Sequence, residues 1–163
     1  MAELDVYVET SVWSCAFAQD VPDYRRDTLA FFDQCRKGRL GAFASDVVLE
    51  EMDRSEPTLR ERLLNLVRDV GPTILELTPP AERLAESFLR ERVVPRGKPE
   101  DAHHVAMAFV EELDVLVSWN FRHIAGMRRA DRFNAVAVLE RFYKPLRIVS
   151  PGELLYDDGP DAL

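Results

Sequence analysis

The sequence predicts an α/β domain in three layers, a mostly parallel central sheet flanked by helices on both faces. Two observations predict it. Short runs suited to strands alternate with longer runs of helical periodicity, and that alternation closes most simply into a parallel sheet. One of the short runs, Val115 to Ser118 (VLVS), is apolar nearly throughout, as in a strand covered on both faces. A length of 163 residues suits one domain, assigned to residues 1–156, and a hydrophobic fraction of 47% supplies its core.

The first strand is Leu4 to Glu9, where Leu4, Val6 and Val8 alternate with other residues and Tyr7 suits a sheet. Thr10-Ser11 then offers side-chain oxygens as helix or turn caps. Asp23 to Lys37 reads as a helix with Leu29, Phe32 and Cys35 among its apolar positions, ended by Gly38. Leu40 to Ala44 is a second strand. Ser45 follows as the N-cap of a helix from Asp46 to Arg54, striped by Val48, Leu49 and Met52. Pro57 opens a helix to about Asp69, where its missing N–H is harmless, and Gly71-Pro72 breaks it. Thr73 to Leu77 is a third strand and Pro79 to Val93 a helix. Pro95 to Pro99 is a loop by composition. Glu100 to Glu112 is an amphipathic helix with Val105, Ala108, Phe109 and Leu113 on one side. After the VLVS strand come helical segments, the clearest from Asp131 to Phe142, then a last strand from Leu146 to Val149. Ser150-Pro151 opens a short helix, and the acidic 157–163 is expected to fray. No internal repeat, low-complexity segment or interdomain linker interrupts this order.

The net charge is −8, from 29 acids against 21 bases, which argues against non-specific nucleic-acid binding over the whole surface. It leaves room for a nuclease, because metal-binding acids add negative charge where cations sit. Arg25-Arg26, Arg122 and Arg128-Arg129 are local basic patches, with a solvated helix face as the alternative use. The two cysteines, Cys15 and Cys35, lack CxxC spacing and read as free thiols of a reducing compartment. The opening MAELDVYVETSVW has no basic segment followed by an apolar one, and no apolar run approaches the ~20 residues that span a bilayer. A cytoplasmic protein without a membrane partner is expected.

In sheets of this class, sites form outside the carboxyl ends of the strands. Glu9 ends the first strand, Asp101 lies in the first turn of the helix after the KPE loop, Asn120 follows the VLVSW strand, and Glu51 lies in the helix after Ser45. These positions bring oxygen donors toward one rim. A hard cation such as Mg²⁺ is commonly held by one or two carboxylates plus water, and such a cation both activates water and stabilises charge on a phosphate. Each residue also has a plainer use. Asp101 could complement its helix dipole, Glu51 could be solvated, and Asn120 could serve a turn. Glu9 is harder to dismiss, since a carboxylate beside an apolar strand needs a partner or a cation.

Other chemistries are poorly served. His103 and His104 are adjacent and do not share a helix face, His123 is the one other histidine, and the cysteines lack finger spacing, so zinc is disfavoured. No GxSxG occurs, Cys15 has no obvious base, and no GxxxxGK[ST] is present.

Four stretches together resemble the PIN-domain ribonuclease family, including toxins of the VapC type. They are VYVETSVW, SDVVLEEM, KPEDAHHVAMA and DVLVSWNFRHI, and they span residues 6 to 124. Each is weak alone, but they occur in the family's order and spacing. The resemblance implies a PIN fold and Mg²⁺- or Mn²⁺-dependent cleavage of RNA. It maps the first acid to Glu9, where the family usually has Asp, the second to Glu51 (with Glu50 as the alternative if the helix is rotated), the third to Asp101 and the fourth position to Asn120, where many members carry Asp. Glu9 keeps the charge but reaches one methylene further. Asn120 loses the charge, leaving three carboxylates, enough for one tightly held ion. Thr10 and Ser11 are expected to orient a water or the carboxylates, and Arg122 and His123 to touch substrate phosphate or serve the structure.

The leading expectation is therefore a metal-dependent endoribonuclease, the toxin half of a type II toxin–antitoxin pair. Competing with it are a catalytically weakened PIN scaffold that binds RNA or a protein, and a hydrolase of small phosphate esters. The resemblance also implies a homodimer and a cognate antitoxin that covers the site, with Trp13 to Phe17 and the helix near Phe31-Phe32 as surfaces or as ordinary core.

Overall fold

The computed structural model describes residues 2–156, so the expectation for the acidic tail lies outside the described residues. Five strands form one all-parallel sheet: β1 (Leu4–Val8), β2 (Leu40–Ser45), β3 (Thr73–Leu75), β4 (Val115–Val117) and β5 (Arg147–Val149). The helices are α1 (Thr10–Cys15), α2 (Pro22–Arg36), α3 (Asp46–Asp53), α4 (Pro57–Val70), α5 (Pro79–Arg90), α6 (Pro99–Val110), α7 (Met127–Leu139) and α8 (Pro151–Tyr156). Helices flank the sheet to give the three-layer α/β/α arrangement expected from the alternation.

The strand order is β3-β2-β1-β4-β5. The chain winds outward from β1 to β3, then returns to the other side of β1 and winds outward again through β4 to β5. The winding reverses between β1 and β4, the place where sheets of this class bind ligands in a crevice outside the carboxyl ends of the strands. Tyr7 registers with Phe43 on one side and Leu116 on the other, so β1 is covered on both edges. Val6, Tyr7, Val8, Val115, Leu116 and Val117 are all fully buried, and Trp13, Phe31, Phe32, Phe88 and Phe133 fill the layers between sheet and helices. At ~1.5–3 kcal/mol for each fully buried large side chain, this core is the main source of stability.

Several boundaries move from their expected places. The segment after β1 is a helix capped by Glu9, whose side chain accepts from Ser11 N, so the cap is the acid and not Thr10 or Ser11. The first strand accordingly ends at Val8, and the third strand stops at Leu75. Ser45 does cap α3, accepting from Val48 N, and Pro57 sits at the start of α4. Gly71, at φ 67°, closes α4 in the left-handed conformation that glycine favours. Three helices expected to run to Val93, Glu112 and Phe142 stop two or three residues earlier, at Arg90, Val110 and Leu139. They turn through Arg92, Glu112 and Arg141, all with positive φ. In each, the next residue's N–H bonds a carbonyl five residues back: Val93 to Phe88, Leu113 to Ala108, Phe142 to Ala137. That is the Schellman ending. Gly38 makes it after α2, with Arg39 bonding Gln34. Cys15 and Cys35 are free and buried, as expected. No helix among the described residues is long and apolar enough to cross a membrane.

Candidate functional site

The rim where β1 and β4 end side by side is built from the residues that immediately follow those strands. The backbone N–H of Glu9 continues the pairing by bonding Val117 O at 3.1 Å. Its side chain is 4% exposed and turns across the strand ends. Oε1 accepts from Ser11 Oγ at 2.6 Å and Ser118 Oγ at 2.5 Å, and Oε2 accepts from Ser11 N at 2.9 Å. A carboxylate this buried requires such donors. The longer reach of Glu, compared with Asp, lets one side chain cap α1 and span to β4. Ser11 Oγ in turn accepts from Trp119 N at 2.9 Å, tying α1 to the loop after β4.

Glu51 enters from α3. Its neighbour Glu50 is exposed, so the helix presents Glu51 to the crevice. Thr10 Oγ1 donates to Glu51 Oε1 at 2.9 Å, and the same oxygen makes a short hydrogen bond with His104 Nε2. Burial pushes the Glu51 carboxyl up, but the hydrogen bond and charge of His104, with Thr10, more than offset it and hold it below the usual glutamate range.

His104 is completely buried on α6, a role the sequence does not assign to it. Its Nδ1 meets Tyr7 Oη at 2.6 Å, and Tyr7 Oη meets Ser45 Oγ at 2.7 Å. Because ionised Glu51 can only accept, Nε2 of His104 carries a proton. Nδ1 then accepts from Tyr7 when the ring is neutral and donates when it is charged, and the two hydroxyls reverse their direction to suit. Burial works against the charged ring, yet the Glu51 hydrogen bond and the charges of Glu9, Glu51 and Asp101 raise His104 above the ordinary histidine range. Burial, reinforced by Glu9 and Glu51, keeps Tyr7 a neutral phenol. His103, one residue away, is half-buried on another face, and burial lowers it.

Asp101 lies in the first turn of α6, and Oδ2 pairs with His123 Nδ1 at 3.1 Å. Burial and then the charge of Glu9 raise its carboxyl above the usual aspartate range, with Glu51 adding to the effect and His104 and His123 opposing it. The three acids therefore share one electrostatic neighbourhood. Asn120 lies at the same rim, but its Oδ1 accepts from His123 N at 3.0 Å, and its N–H bonds Ser118 Oγ at 2.9 Å. It shapes the turn that carries His123 to Asp101. Arg122 is exposed on that turn.

The donor chemistry suits a hard divalent cation: three carboxylates, crowded enough that one resists ionisation. Glu51 Oε2 and Asp101 Oδ1 accept no hydrogen bond from the described residues. The arrangement is nevertheless not a closed ligand cage. Among the described residues no group of three or more His, Cys, Asp or Glu side chains converges closely enough to hold an ion. Each acid is instead turned onto protein donors. Cysteine chemistry is disfavoured, since burial raises Cys15 and pushes Cys35 up to about 12.

Two groups that the sequence reading does not single out nevertheless carry a readable signal. His104 stands three residues after Asp101 on the same helix, so the two share a face. Tyr7 stands two residues before Glu9, on the strand that leads into it. Comparison with protein-family models and with curated proteins found no match to this chain.

Proposed function

We propose that this chain is a PIN-type ribonuclease that uses Mg²⁺ or Mn²⁺ to hydrolyse RNA phosphodiester bonds. The observation that carries the reading is the Asp101 carboxyl, raised by burial and by Glu9 and Glu51 at the rim where the winding of the sheet reverses. Such like-charge crowding is destabilising unless a cation or a reaction uses it. Glu9, Glu51 and Asp101 would hold the ion together with water, once their side chains draw closer than the hydrogen bonds to Ser11, Ser118, His104 and His123 leave them. A bound divalent cation supplies Lewis-acid activation of water and neutralisation of charge at the scissile phosphate. The protein's own part is positional and protonic. Ser11, Ser118 and Thr10 fix the carboxylates, and the Asp101–His123 pair is a carboxylate and imidazole placed to accept or return a proton at the rim. The choice of RNA, the toxin role, a covering antitoxin and a homodimer come from the resemblance of the four motifs to that family.

The test is cleavage of labelled single-stranded and structured RNAs with Mn²⁺ or Mg²⁺. Wild type is expected to cut and Asp101→Asn to lose at least about a hundredfold in rate. Equal behaviour of the two on every substrate sinks the reading, and turnover of bis(p-nitrophenyl) phosphate with intact RNA would replace it by a small-phosphoester hydrolase.

A second reading is a scaffold with weakened catalysis that binds RNA or a protein. It is favoured by the hydrogen bonds that already engage all three acids and by the uncharged Asn120. Calorimetry with Mn²⁺ separates the two, since binding lost in both Glu9→Gln and Asp101→Asn belongs to the enzyme.

A further inference from the structure

Beside the carboxylate crevice lies an open basin of about 590 Å³. Arg92, Arg96, Arg122, Arg129, Arg132 and His123 line it, and no acidic residue does. None of these five arginines forms an ion pair with a carboxylate among the described residues. Two of the five are fixed in the wall by backbone carbonyls exposed where α5 ends. Arg129 Nη1 donates to Val93 O at 2.9 Å, and Arg132 Nη2 to Glu91 O and Arg92 O at 3.2 Å. Guanidinium groups gathered without counter-charge, on a chain of net charge −8, repel one another until an anion arrives. Carbonyl anchoring leaves further N–H donors of each fork for phosphate oxygens. His123 joins the two sites, lining the basin while pairing with Asp101.

The turn that carries Arg122 and His123 also carries aromatic side chains. Tyr24 stacks on Trp119 with centroids 4.2 Å apart and planes 14° from parallel, and Phe121 lies 6.1 Å from Trp119. Phe121 is 51% exposed and Tyr24 43%. Exposed rings beside a basic track are what unpaired bases stack on, and an acidic peptide would make no use of them. A duplex keeps its bases stacked and cannot reach them.

We infer that the arginine basin binds the phosphodiester backbone of single-stranded RNA flanking the reacting phosphate, with an unpaired base seated on Phe121 and the Tyr24–Trp119 stack. This rests on the ribonuclease reading for the identity of the substrate. The strand crosses the crevice with phosphates on the arginine side and a base on the aromatic side, and its scissile linkage lies beside Asp101.

The experiment reads binding and cleavage separately. Anisotropy of a fluorescein-labelled single-stranded RNA of about 12 nucleotides is followed in EDTA across a salt series. Arg96→Ala/Arg122→Ala removes two exposed cations that make no hydrogen bond among the described residues. It is expected to weaken binding at least about tenfold and to lower the slope of log K against log salt by about 1.4, ~0.7 for each phosphate contact. Phe121→Ala is expected to weaken binding at least about fivefold with the slope unchanged, since stacking releases no counterions. Arg62→Ala/Arg68→Ala on α4 matches the charge loss and is expected to change neither. The basin is overturned if the Arg96/Arg122 variant binds as wild type does, if the α4 pair weakens binding equally, or if wild type binds a poly-glutamate peptide and no RNA. Mn²⁺-dependent cleavage by a wild type whose basin variant binds normally overturns the basin and keeps the ribonuclease. RNA binding lost in the basin variant, with no metal-dependent cleavage of any RNA by wild type, supports the basin and overturns the ribonuclease.

Discussion

Tyr7→Phe isolates the buried chain beneath the site. The hydroxyl it removes is fully enclosed and makes two hydrogen bonds, to Ser45 Oγ at 2.7 Å and His104 Nδ1 at 2.6 Å. Ser45 Oγ retains the Val48 N–H it accepts as cap of α3. His104 Nδ1 retains nothing, since no other donor or acceptor contacts it among the described residues, and a buried polar atom left unsatisfied costs about 1–3 kcal/mol. The ring otherwise fits as before, so the loss is expected to be about 2 kcal/mol. For a domain of this size each kcal/mol moves the melting point by about 2–4 °C, giving a drop of about 4–8 °C. Urea unfolding followed by circular dichroism would show a lower midpoint with an unchanged slope. A double-mutant cycle with His104→Leu should recover a coupling of about 1 kcal/mol or more. A midpoint within error of wild type, or zero coupling, refutes the account of a fully paired chain from Ser45 to Glu51.

Three further outcomes follow from the same geometry. Asp101→Asn should raise the melting point at neutral pH, because it removes a buried charge and relieves the repulsion from Glu9 and Glu51. The sign of its pH dependence is fixed: a carboxyl raised on folding binds its proton more tightly in the native state, so wild type gains on the Asp101→Asn variant as pH falls through the raised value, and the gap closes below the unfolded value of about 4. A gap that widens on acidification would contradict this. Mn²⁺ at about a hundred times its Kd should stabilise wild type by about 2.7 kcal/mol and leave Glu9→Gln unmoved, as scanning calorimetry would show. Glu112→Gly should stabilise the fold by about 0.5–1 kcal/mol in urea melts, since residue 112 is exposed at φ 54° and its carbonyl contact with Lys144 survives the change.

The order of the elements and the class of the sheet were legible because β2 and β4 are short apolar runs, β1 alternates, and the helices carry regular stripes. The helix ends were legible where chemistry marks them. Ser45, Pro57, Gly38 and Gly71 announce their positions, and α3, α4 and the end of α2 were placed within a residue or two. Arg92, Glu112 and Arg141 announce nothing. A left-handed closure made by a charged residue looks like one more turn of an amphipathic helix, so the expected ends of α5, α6 and α7 each fall two or three residues too late. Tertiary packing holds these turns against their local preference, and a strand or loop that begins immediately afterwards supplies the reason.

The same limit applies to the site. Glu9 and Asp101 could be located because each sits at an element end, and Glu51 because the Ser45 cap sets the register of its helix. What each of them bonds depends on the strand order, which local pattern does not encode. Ser118 reaches Glu9 only because β4 returns to lie beside β1. His104 reaches Glu51 and Tyr7 only because α6 lies over β1 and against α3. Adjacent His103 and His104 look alike in the sequence, yet one is half-buried on another face and the other is fully enclosed between a phenol and a carboxylate. The winding reversal thus does more than open a crevice. It brings the ends of β1 and β4 together so that Ser118 holds Glu9, while the buried chain from Ser45 through Tyr7 and His104 holds Glu51 from beneath. Asp101 pairs with His123, and burial and the charge of Glu9 resist its ionisation.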